Sequence, residues 1–418
     1  MNASVWTEYL AKIDHPASVL PAAADTVIVG AGYTGLNAAR ELARRGQQVA
    51  VFDQGPLGAG ASGVNFGSVA LGVAASHSSI ARRYGDAFAR ETAKLSQVVL
   101  DRFCRLVTEE EIDCDLQKNG HLTIALNRRQ LQRLSHTKQN LDALIENELV
   151  LLSAADTKQF LDIDAAGGLL NRNSYSINPI KYLDGLVASA ISAGVNIFEN
   201  LPVSEIRSEG AQKFATRCGD HTIRSKQVIV CTNGFRLRSF SPSYRGIVPI
   251  NSYLISTEPL AASQLAAIGQ PVFSTAHLIP NYFRVTRDQR LLFGSRKNIA
   301  ARPSAPRDAR ELIARMHKLL PFTRGLKISH SWSGKLGFTF DGLPHVGVQN
   351  GIYYALGYCG KGIPWATYCG MAVGKMVAGE NSLDPVLSTR VIQPSFYRGR
   401  PWFLKPLSLY YRAIDAFS

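Results

Sequence analysis

Three glycines near the start of the chain are the residues with the clearest chemical use. Gly30, Gly32 and Gly35 follow the apolar run 27–29 in the spacing G-x-G-x-x-G. In a strand–turn–helix unit the first glycine permits the tight turn, the second lets a pyrophosphate approach the backbone, and the third lets the helix pack on the sheet. The motif predicts a dinucleotide site, and a βαβ unit without a ligand is the alternative.

The residues around these glycines supply the elements that such a site needs. Apolar residues at helical spacing predict a helix over 34–45, and the run 49–52 predicts the next strand. The start of that helix presents free N–H groups and a positive dipole end to the phosphates. Asp53 ends the second strand, where its carboxylate can accept hydrogen bonds from the ribose hydroxyls.

Composition excludes several classes of protein. The 418 residues are 46% hydrophobic and 19% charged, which is enough for a large core and more than one domain. No apolar run approaches the roughly 18 residues of a transmembrane helix, and the chain does not begin like a secretory signal. The six cysteines form no C-x-x-C pair and no cluster with histidine. We therefore expect reduced thiols, no bound metal and a cytoplasmic location.

The net charge of +14 is concentrated in one segment. Residues 281–330 hold twelve Lys or Arg against three Asp or Glu, which gives +9. No nucleic-acid-binding motif accompanies this charge, so we expect no nucleic-acid partner. A solvated face, an entrance that attracts anionic substrates, and a docking patch remain as explanations.

Periodicity and turn residues place the other elements. We expect helices at 78–110, 127–148, 178–193, 307–320 and 364–378, and strands at 120–126, 195–198, 201–206, 227–234, 247–256, 282–294 and 353–357. Residues 1–24 are expected to form a short leader, and the residues from 381 onward an irregular tail on the surface.

Four motifs in a fixed order resemble the FAD-dependent D-amino-acid oxidase (DAO) superfamily, which includes glycine oxidase and sarcosine oxidase. The motifs are Gly30–Gly35 with Asp53, GAGASGVNFG at 58–67, CTNG at 231–234, and DGLPHVG at 341–347 leading into GYCGKG at 357–362. Within the superfamily the resemblance is closest to gamma-glutamylputrescine oxidase-like amine oxidoreductases. It extends over roughly residues 25–380.

The resemblance implies an α/β fold with two domains. A Rossmann-type, glutathione-reductase-like FAD-binding domain is expected from residues 25–90, 155–236 and 327–380. A substrate domain with a mostly antiparallel sheet is expected from 91–154 and 237–326, with 381–418 as a C-terminal tail.

The resemblance also implies the residues that contact the cofactor. In the stretch 58–67, small residues would let the backbone run along the ribityl chain and ring. The later glycine cluster would open a helix whose N–H groups face flavin N1 and O2, where negative charge collects on reduction. The expected cofactor-binding residues are Gly30, Gly32, Tyr33, Thr34, Gly35, Asp53, Gln54, Ala61, Ser62, Asn65, Gly67, Val203, Thr232, Gly234, Gly357, Gly360, Lys361, Gly362 and Ile363.

Catalytic side chains are harder to assign from the sequence. Lys361 could add a full charge beside the flavin, although an exposed lysine at a helix start has the same pattern. Arg284 could pair with a substrate carboxylate, and Tyr253 and Tyr282 lie on strands expected to cover the flavin. Lys361, Arg284 and Tyr253 are the predicted catalytic residues.

Three further residues lie in or near the flavin motifs. His345 and Trp332 could line the site or belong to the core, and we expect Cys359 to be a small apolar residue that fills space.

Two departures from the family pattern bear on the site. Val64 and Phe66 stand where the family often has arginine and glycine, which concerns the substrate side of the flavin. Asp53 replaces the usual Glu, so a carboxylate remains on a shorter arm. No cysteine stands where sarcosine oxidases attach flavin, so we expect noncovalent FAD.

The predicted function is oxidation of a primary or secondary amine, either a polyamine derivative or an amino acid. Hydride would pass from the α-carbon to flavin N5, and the imine would hydrolyse. The chain has only one dinucleotide fingerprint, so the electrons should come from the substrate rather than from NAD(P)H. Oxygen or an electron carrier would reoxidise the flavin.

Three alternatives remain open. One is a D-amino-acid or opine dehydrogenase that feeds a respiratory carrier and docks peripherally on a membrane. The second is a flavin-binding subunit of a larger complex, with Val64 and Phe66 altering its active surface. The third, an NAD-dependent dehydrogenase, is disfavoured by the late glycine cluster.

Overall fold

The computed structural model describes residues 4–9, 19–210, 213–296, 305–380 and 383–417. Its strands are β1 (Ala23–Val29), β2 (Val49–Phe52), β3 (Ser68–Val69), β4 (His121–Ala125), β5 (Leu149–Ser153), β6 (Gly167–Asn171), β7 (Tyr175–Ser176), β8 (Asn196–Phe198), β9 (Val203–Gly210), β10 (Lys213–Cys218), β11 (His221–Val230), β12 (Val248–Pro259), β13 (Val272–Thr275), β14 (Asn281–Val285), β15 (Arg290–Ser295), β16 (Ile328–Phe338), β17 (His345–Gln349) and β18 (Ile352–Leu356).

The helices are α1 (Tyr33–Ala43), α2 (Ala61–Val64), α3 (His77–Tyr84), α4 (Asp86–Glu109), α5 (Arg128–Asp142), α6 (Ala154–Lys158), α7 (Pro179–Ser192), α8 (Ser241–Arg245), α9 (Ala262–Leu265), α10 (Ala305–Leu319), α11 (Gly362–Val377) and α12 (Leu404–Phe417). Two short 3-10 helices add Val5–Tyr9 and Pro321–Thr323. None of the described helices is long and apolar enough to cross a bilayer.

The first sheet is built around parallel strands. Its order is β17-β18-β11-β1-β2-β8; β10 pairs antiparallel with β11, and β9 pairs antiparallel with β10. β1 pairs in parallel with β11 and β2, and β2 pairs in parallel with β8. The last residues of β1 and all of β2 are buried, as expected for parallel strands that helices cover. The predicted α/β fold with a Rossmann-type unit is confirmed.

Helices α1 and α11 pack directly against each other beside this sheet. A Cβ at Gly370 would meet the backbone of Thr34, and a Cβ at Gly374 would lie 2.8 Å from Cβ of Glu41. Glycine therefore lets the two helix backbones approach closely. The close approach brings the loop before α1 next to the loop before α11, although more than 300 residues separate them.

The second sheet is mostly antiparallel, as predicted. Its order is β16-β12-β15-β14-β13-β4-β6-β5, and only the β4–β13 pair among these neighbours is parallel. Its apolar core includes Phe273, Phe283 and Phe293, whose rings stack in a row. β6 and β16 belong to this sheet, although they lie in segments that we expected in the FAD-binding domain. The domain boundaries remain a prediction.

Several local expectations were wrong. The helix expected at 78–110 is broken at Gly85, whose φ of 90° suits glycine, so it forms α3 and α4. The helix expected at 127–148 ends with α5, after which β5 begins. The strand expected at 282–294 is the hairpin of β14 and β15.

The described parts of both terminal segments contain elements that we did not expect. The leader contributes Trp6, which is buried and donates its indole N–H to the carbonyl of Asn65 (2.8 Å). The tail contains α12, because Leu404, Leu407 and Tyr411 place one apolar face against Val248 and its neighbours. Residues 1–3 and 10–18 of the predicted leader and residues 381–382 and 418 of the predicted tail lie outside the described residues.

Candidate cofactor and substrate site

One cavity of about 970 Å³ is bordered by both glycine-rich loops. Its wall includes the loop between β1 and α1, the stretch 58–67, the turn after β11 and the loop before α11. Strands of the second sheet close another side. The predicted residues that line it are Gly30, Gly32, Tyr33, Thr34, Asp53, Gln54, Ala61, Ser62, Asn65, Gly67, Val203, Thr232, Gly234, Gly360, Lys361, Gly362 and Ile363.

The amino-terminal loop leaves no room for a side chain at its three glycines. Gly30 has φ 107°, and a Cβ there would lie 2.9 Å from the carbonyl oxygen of Cys231. A Cβ at Gly32 would lie 2.8 Å from Oγ of Ser62, and one at Gly35 would collide with the carbonyl of Gly30. Gly35 does not line the cavity, so its place in the motif is explained by helix packing.

The first turns of α1 and α11 both face this cavity without a side-chain cap. Gly32 and Lys361 are their respective N-cap residues, and neither makes a side-chain capping hydrogen bond within the described chain. Uncapped N–H groups at a helix start attract negative charge. The cavity therefore has two positively polarised ends that suit an anionic ligand.

Asp53 lies against the amino-terminal loop. Its carboxylate accepts hydrogen bonds from the backbone N–H of Ala31 (2.8 Å) and Gly55 (3.2 Å). Burial raises its pKa, and these backbone donors counteract only part of the effect. The carboxylate is thus held at the cavity wall where β2 ends.

The side chain of Asn65 fixes the stretch 58–67. Its amide donates to the carbonyls of Ala61 (3.1 Å) and Ser62 (2.9 Å), and its oxygen accepts from the N–H of Gly67 (2.9 Å). Ser62 in turn accepts a hydrogen bond from the backbone N–H of Tyr33 (3.1 Å). These bonds join the second glycine-rich motif to the first.

The carboxy-terminal loop is tied to the amino-terminal one by side chains. The hydroxyls of Thr34 and Tyr358 lie 2.7 Å apart, and the N–H of Gly357 donates to the side chain of Asn233 (3.1 Å). Cys359 and Gly360 have φ of 52° and 90°, which turns the chain sharply before α11. Gly357 lies behind the cavity lining, whereas Gly360 faces the cavity.

Lys361 is half-buried in the cavity wall, so the alternative of an exposed helix-start lysine is wrong. Its ammonium donates to the carbonyl of Leu71 (3.4 Å). Burial, and secondarily the charge of Arg296, lower its pKa to about 8. Lys361 lines the cavity, and its catalytic role stays a prediction.

Arg296 is a cavity residue that the sequence did not single out. It follows β15, and its guanidinium lies 5.1 Å from the ring centre of Phe338. Burial lowers its pKa, and its Nε has no hydrogen-bond partner among the described residues. A cation in this situation is poised to bind an anion that enters the cavity.

The second sheet supplies neutral polar groups to the cavity. The hydroxyls of Ser252 and Tyr282 share a hydrogen bond, and Nε2 of His121 lies 2.8 Å from Oγ of Ser274. Burial, and then the charge of Lys361, lower the pKa of His121 to about 3. Its imidazole is therefore uncharged at neutral pH.

Two predicted catalytic side chains lie outside the cavity lining. Tyr253 points to the opposite face of β12 from Ser252 and Leu254, because neighbouring strand residues alternate between faces. Arg284 is buried, with its guanidinium donating to the carbonyls of Phe66 (3.1 Å) and Ile177 (2.7 Å). Its donors hold the 58–67 loop in place and do not face the cavity.

The other three candidate residues, His345, Trp332 and Cys359, make contacts that stabilise the fold. His345 is fully buried, with its two ring nitrogens against Asp341 (3.1 Å) and the carbonyl of Thr389 (2.8 Å). Trp332 donates its indole N–H to the carbonyl of Val64 (2.9 Å). The thiol of Cys359 packs against Thr339 and has a raised pKa because it is buried. Among the described residues no group of three potential ligands could hold a metal ion.

Comparisons with known proteins agree with this geometry. The model of the family described as "DAO: FAD dependent oxidoreductase" matches residues 25–376. The chain is 29% identical to a probable oxidoreductase OrdL of Haemophilus influenzae, over 94% of this chain and 92% of that protein. It is also 29% identical to gamma-glutamylputrescine oxidoreductase of Escherichia coli, over 85% and 84% respectively. A glycine oxidase crystal structure from Geobacillus kaustophilus superposes with a TM-score of 0.74 at 21% identity, covering 89% of this chain and all of that one.

Proposed function

The chain belongs to the DAO family of FAD dependent oxidoreductases, and we propose that it oxidises an amine whose molecule also carries a carboxylate. FAD is its cofactor, and amines or amino acids are its substrate class. The finer assignment concerns which amines enter the site. An amino acid, an N-substituted amino acid and a gamma-glutamyl amine all carry the required carboxylate.

The charge of the cavity wall is the observation that carries this proposal. In the described part of the chain, the wall contains six lysines or arginines and a single acid, Asp53. Asp53 is engaged by the backbone of the amino-terminal loop, so it does not neutralise Arg296 or Lys361. Burial lowers the pKa of both cations, and the charge of Arg296 lowers the pKa of Lys361 further. A carboxylate that enters the cavity would therefore stabilise the charged forms of both side chains.

The residues present fit FAD. The bare backbone of Gly30–Gly35 and the uncapped start of α1 suit the pyrophosphate, and Asp53 suits the ribose. Gly360–Gly362 and the uncapped start of α11 suit the pyrimidine side of the flavin. A single cavity that reaches from one loop to the other accommodates one extended cofactor.

When bound, FAD supplies the acceptor for the hydride that leaves the α-carbon of the amine. The side chains of the chain orient that carbon. Arg296 and Lys361 would hold the carboxylate, and the hydroxyls of Ser252 and Tyr282 would line the same end of the cavity. Burial raises the pKa of Tyr282, so its hydroxyl stays protonated and can donate a hydrogen bond. The imine product then hydrolyses in water without a protein nucleophile.

Matched pairs of substrates test the proposal. The purified flavoprotein would be mixed without oxygen with sarcosine or dimethylamine, alanine or ethylamine, and gamma-glutamylputrescine or putrescine. We expect the carboxylate-bearing member of at least one pair to bleach the flavin absorbance at least about a hundredfold faster, since a buried charged hydrogen bond contributes roughly 3 kcal/mol. Equal rates within every reactive pair would contradict it.

The acceptor that reoxidises the flavin is a separate choice between oxygen and an electron carrier. Peroxide produced with air as the only acceptor identifies an oxidase. Turnover with an artificial quinone, in the absence of peroxide, identifies a dehydrogenase.

A further inference from the structure

The segment 396–410 near the carboxy-terminal end exposes several large apolar side chains. Phe396, Trp402, Leu409 and Tyr410 are 56%, 65%, 67% and 60% exposed. They are four of the nine exposed large apolar residues in the described chain, and they include all of its exposed aromatic ones. We name these four residues the C-terminal aromatic face. So much exposed apolar surface in one segment is typical of a contact surface.

The C-terminal aromatic face stands on a helix that is fixed to the body of the protein. The opposite side of α12 packs Leu404, Leu407 and Tyr411 into an apolar cluster. Near the end of the helix, the carboxylate of Asp415 accepts hydrogen bonds from the N–H groups of Leu278 (2.8 Å) and Ile279 (3.1 Å). The exposed residues are therefore presented by an ordered element and are not the ends of a loose tail.

The exposed side of α12 repeats with helical spacing. Lys405, Leu409 and Ala413 are exposed at intervals of four residues, and Pro406 and Tyr410 are exposed beside them. The helix consequently has one apolar stripe toward the core, and its described side chains toward solvent are apolar except at Lys405. A helix with an apolar side toward solvent gains free energy when a partner covers that side.

Positive charge surrounds the C-terminal aromatic face. Arg398, Arg400 and Lys405 are exposed around it. From 385 to 414 the sequence has no Asp or Glu, so no acid in this segment offsets these charges. This segment thus combines exposed apolar and aromatic side chains with cations that no acid of the same segment offsets.

We propose that the C-terminal aromatic face docks on an anionic lipid surface. Trp and Tyr favour the boundary between headgroups and acyl chains, and neighbouring cations bind anionic headgroups. A second copy of the chain suits this surface less well, because a two-fold contact would set Arg398, Arg400 and Lys405 against their own copies. Gly399 and Arg400 also line the cavity, so docking places an edge of the cavity next to the lipid.

Sedimentation with vesicles tests this proposal on the whole FAD-loaded protein, without substrate. The vesicles would contain phosphatidylcholine alone or with about one third phosphatidylglycerol. We expect sedimentation with the anionic vesicles only, and release by high salt. The combined variant Trp402→Ser, Leu409→Gln, Tyr410→Gln should lower the partition coefficient at least about tenfold, since binding scales with buried apolar area.

Control variants separate docking from general effects. Val98→Gln and Val348→Gln replace similarly exposed apolar residues elsewhere and should sediment like the unchanged protein. The pair Arg398→Gln, Lys405→Gln should weaken binding to anionic vesicles. Flavin content and melting temperature show that each variant is folded. Undiminished binding of the triple variant, no binding of the unchanged protein, or a dimer that the triple variant abolishes would each overturn the proposal.

Discussion

The two ends of the cavity are built by different means. At the end near Gly30–Gly35, backbone groups and the uncapped start of α1 form the wall. Glycine is required there because a Cβ at Gly30 or Gly35 collides with backbone and one at Gly32 collides with the hydroxyl of Ser62. At the end near the second sheet, side chains such as Arg296, Ser252 and Tyr282 form the wall. A backbone site holds a constant ligand, whereas a side-chain site can be changed residue by residue. We therefore interpret the first as the cofactor end and the second as the substrate end.

The largest effect on FAD binding should come from a substitution that adds a side chain at a glycine of the amino-terminal loop. In Gly35→Val the new side chain collides with the carbonyl of Gly30, so α1 must move away from the sheet. We expect loss of bound FAD and a free energy of unfolding lower by about 3 kcal/mol or more. Flavin absorbance per chain and denaturant unfolding measure both. Gly55→Ala is the control, because a Cβ there meets only ordinary contacts; retention of FAD by Gly35→Val would contradict the interpretation.

A substitution at the substrate end should lower activity without loss of bound FAD. Arg296→Met removes the guanidinium whose Nε has no hydrogen-bond partner among the described residues, and it leaves the glycine loops intact. We expect kcat/KM for a carboxylate-bearing amine to fall roughly a hundredfold to a thousandfold, equivalent to about 3–4 kcal/mol, with normal FAD content. Steady-state kinetics measures the loss. Arg287→Gln, an exposed arginine paired with Asp115, should change little; equal losses in the two variants would remove the assigned role of Arg296.

The pH dependence of kcat/KM tests the role of Lys361 at the substrate end. The pKa of Lys361 is lowered to about 8, so its ammonium is charged below that pH and neutral above it. Because the charged form attracts the carboxylate, kcat/KM should fall about tenfold as the pH rises through this range, relative to Lys361→Arg, which stays charged. Parallel profiles for the two proteins would show that Lys361 does not hold the substrate.

The smallest effect is expected at Tyr253. Its hydroxyl is buried with no hydrogen-bond partner among the described residues, and it lies on the far side of β12 from the cavity. Tyr253→Phe should leave kcat/KM within about twofold and stabilise the fold by up to about 1 kcal/mol, since an unsatisfied buried hydroxyl is removed. Ser252→Ala, on the cavity side, should have the larger kinetic effect. The reverse order would place the substrate on the other face of the strand.

The contrast between the two ends also explains what the sequence predicted. The glycine loops, Asp53 and α11 were predictable because a backbone site requires glycine at fixed spacing. The substrate side chains were not, because the sequence shows neither which face of a strand a side chain occupies nor which strand end borders the cavity. We predicted Tyr253, but its neighbour Ser252 faces the cavity. We predicted Arg284, but Arg296 is the arginine of the second sheet that faces the cavity.

Other features lacked any local signal. Trp6 is held by the carbonyl of Asn65, a contact across 59 residues that no pattern around Trp6 predicts. α12 has a helical repeat, but the apolar residues on both of its sides blur the single-sided pattern that identifies a surface helix. In both cases the tertiary contact, rather than the local sequence, decides the conformation.

A crystal structure of the chain with FAD and a carboxylate-bearing amine would test the central claim most directly. The account predicts one FAD with its pyrophosphate at Gly30–Gly35, its flavin at Gly360–Gly362, and the substrate carboxylate at Arg296. A cofactor that touches only one of the two glycine loops, or a carboxylate bound away from Arg296 and Lys361, would contradict it.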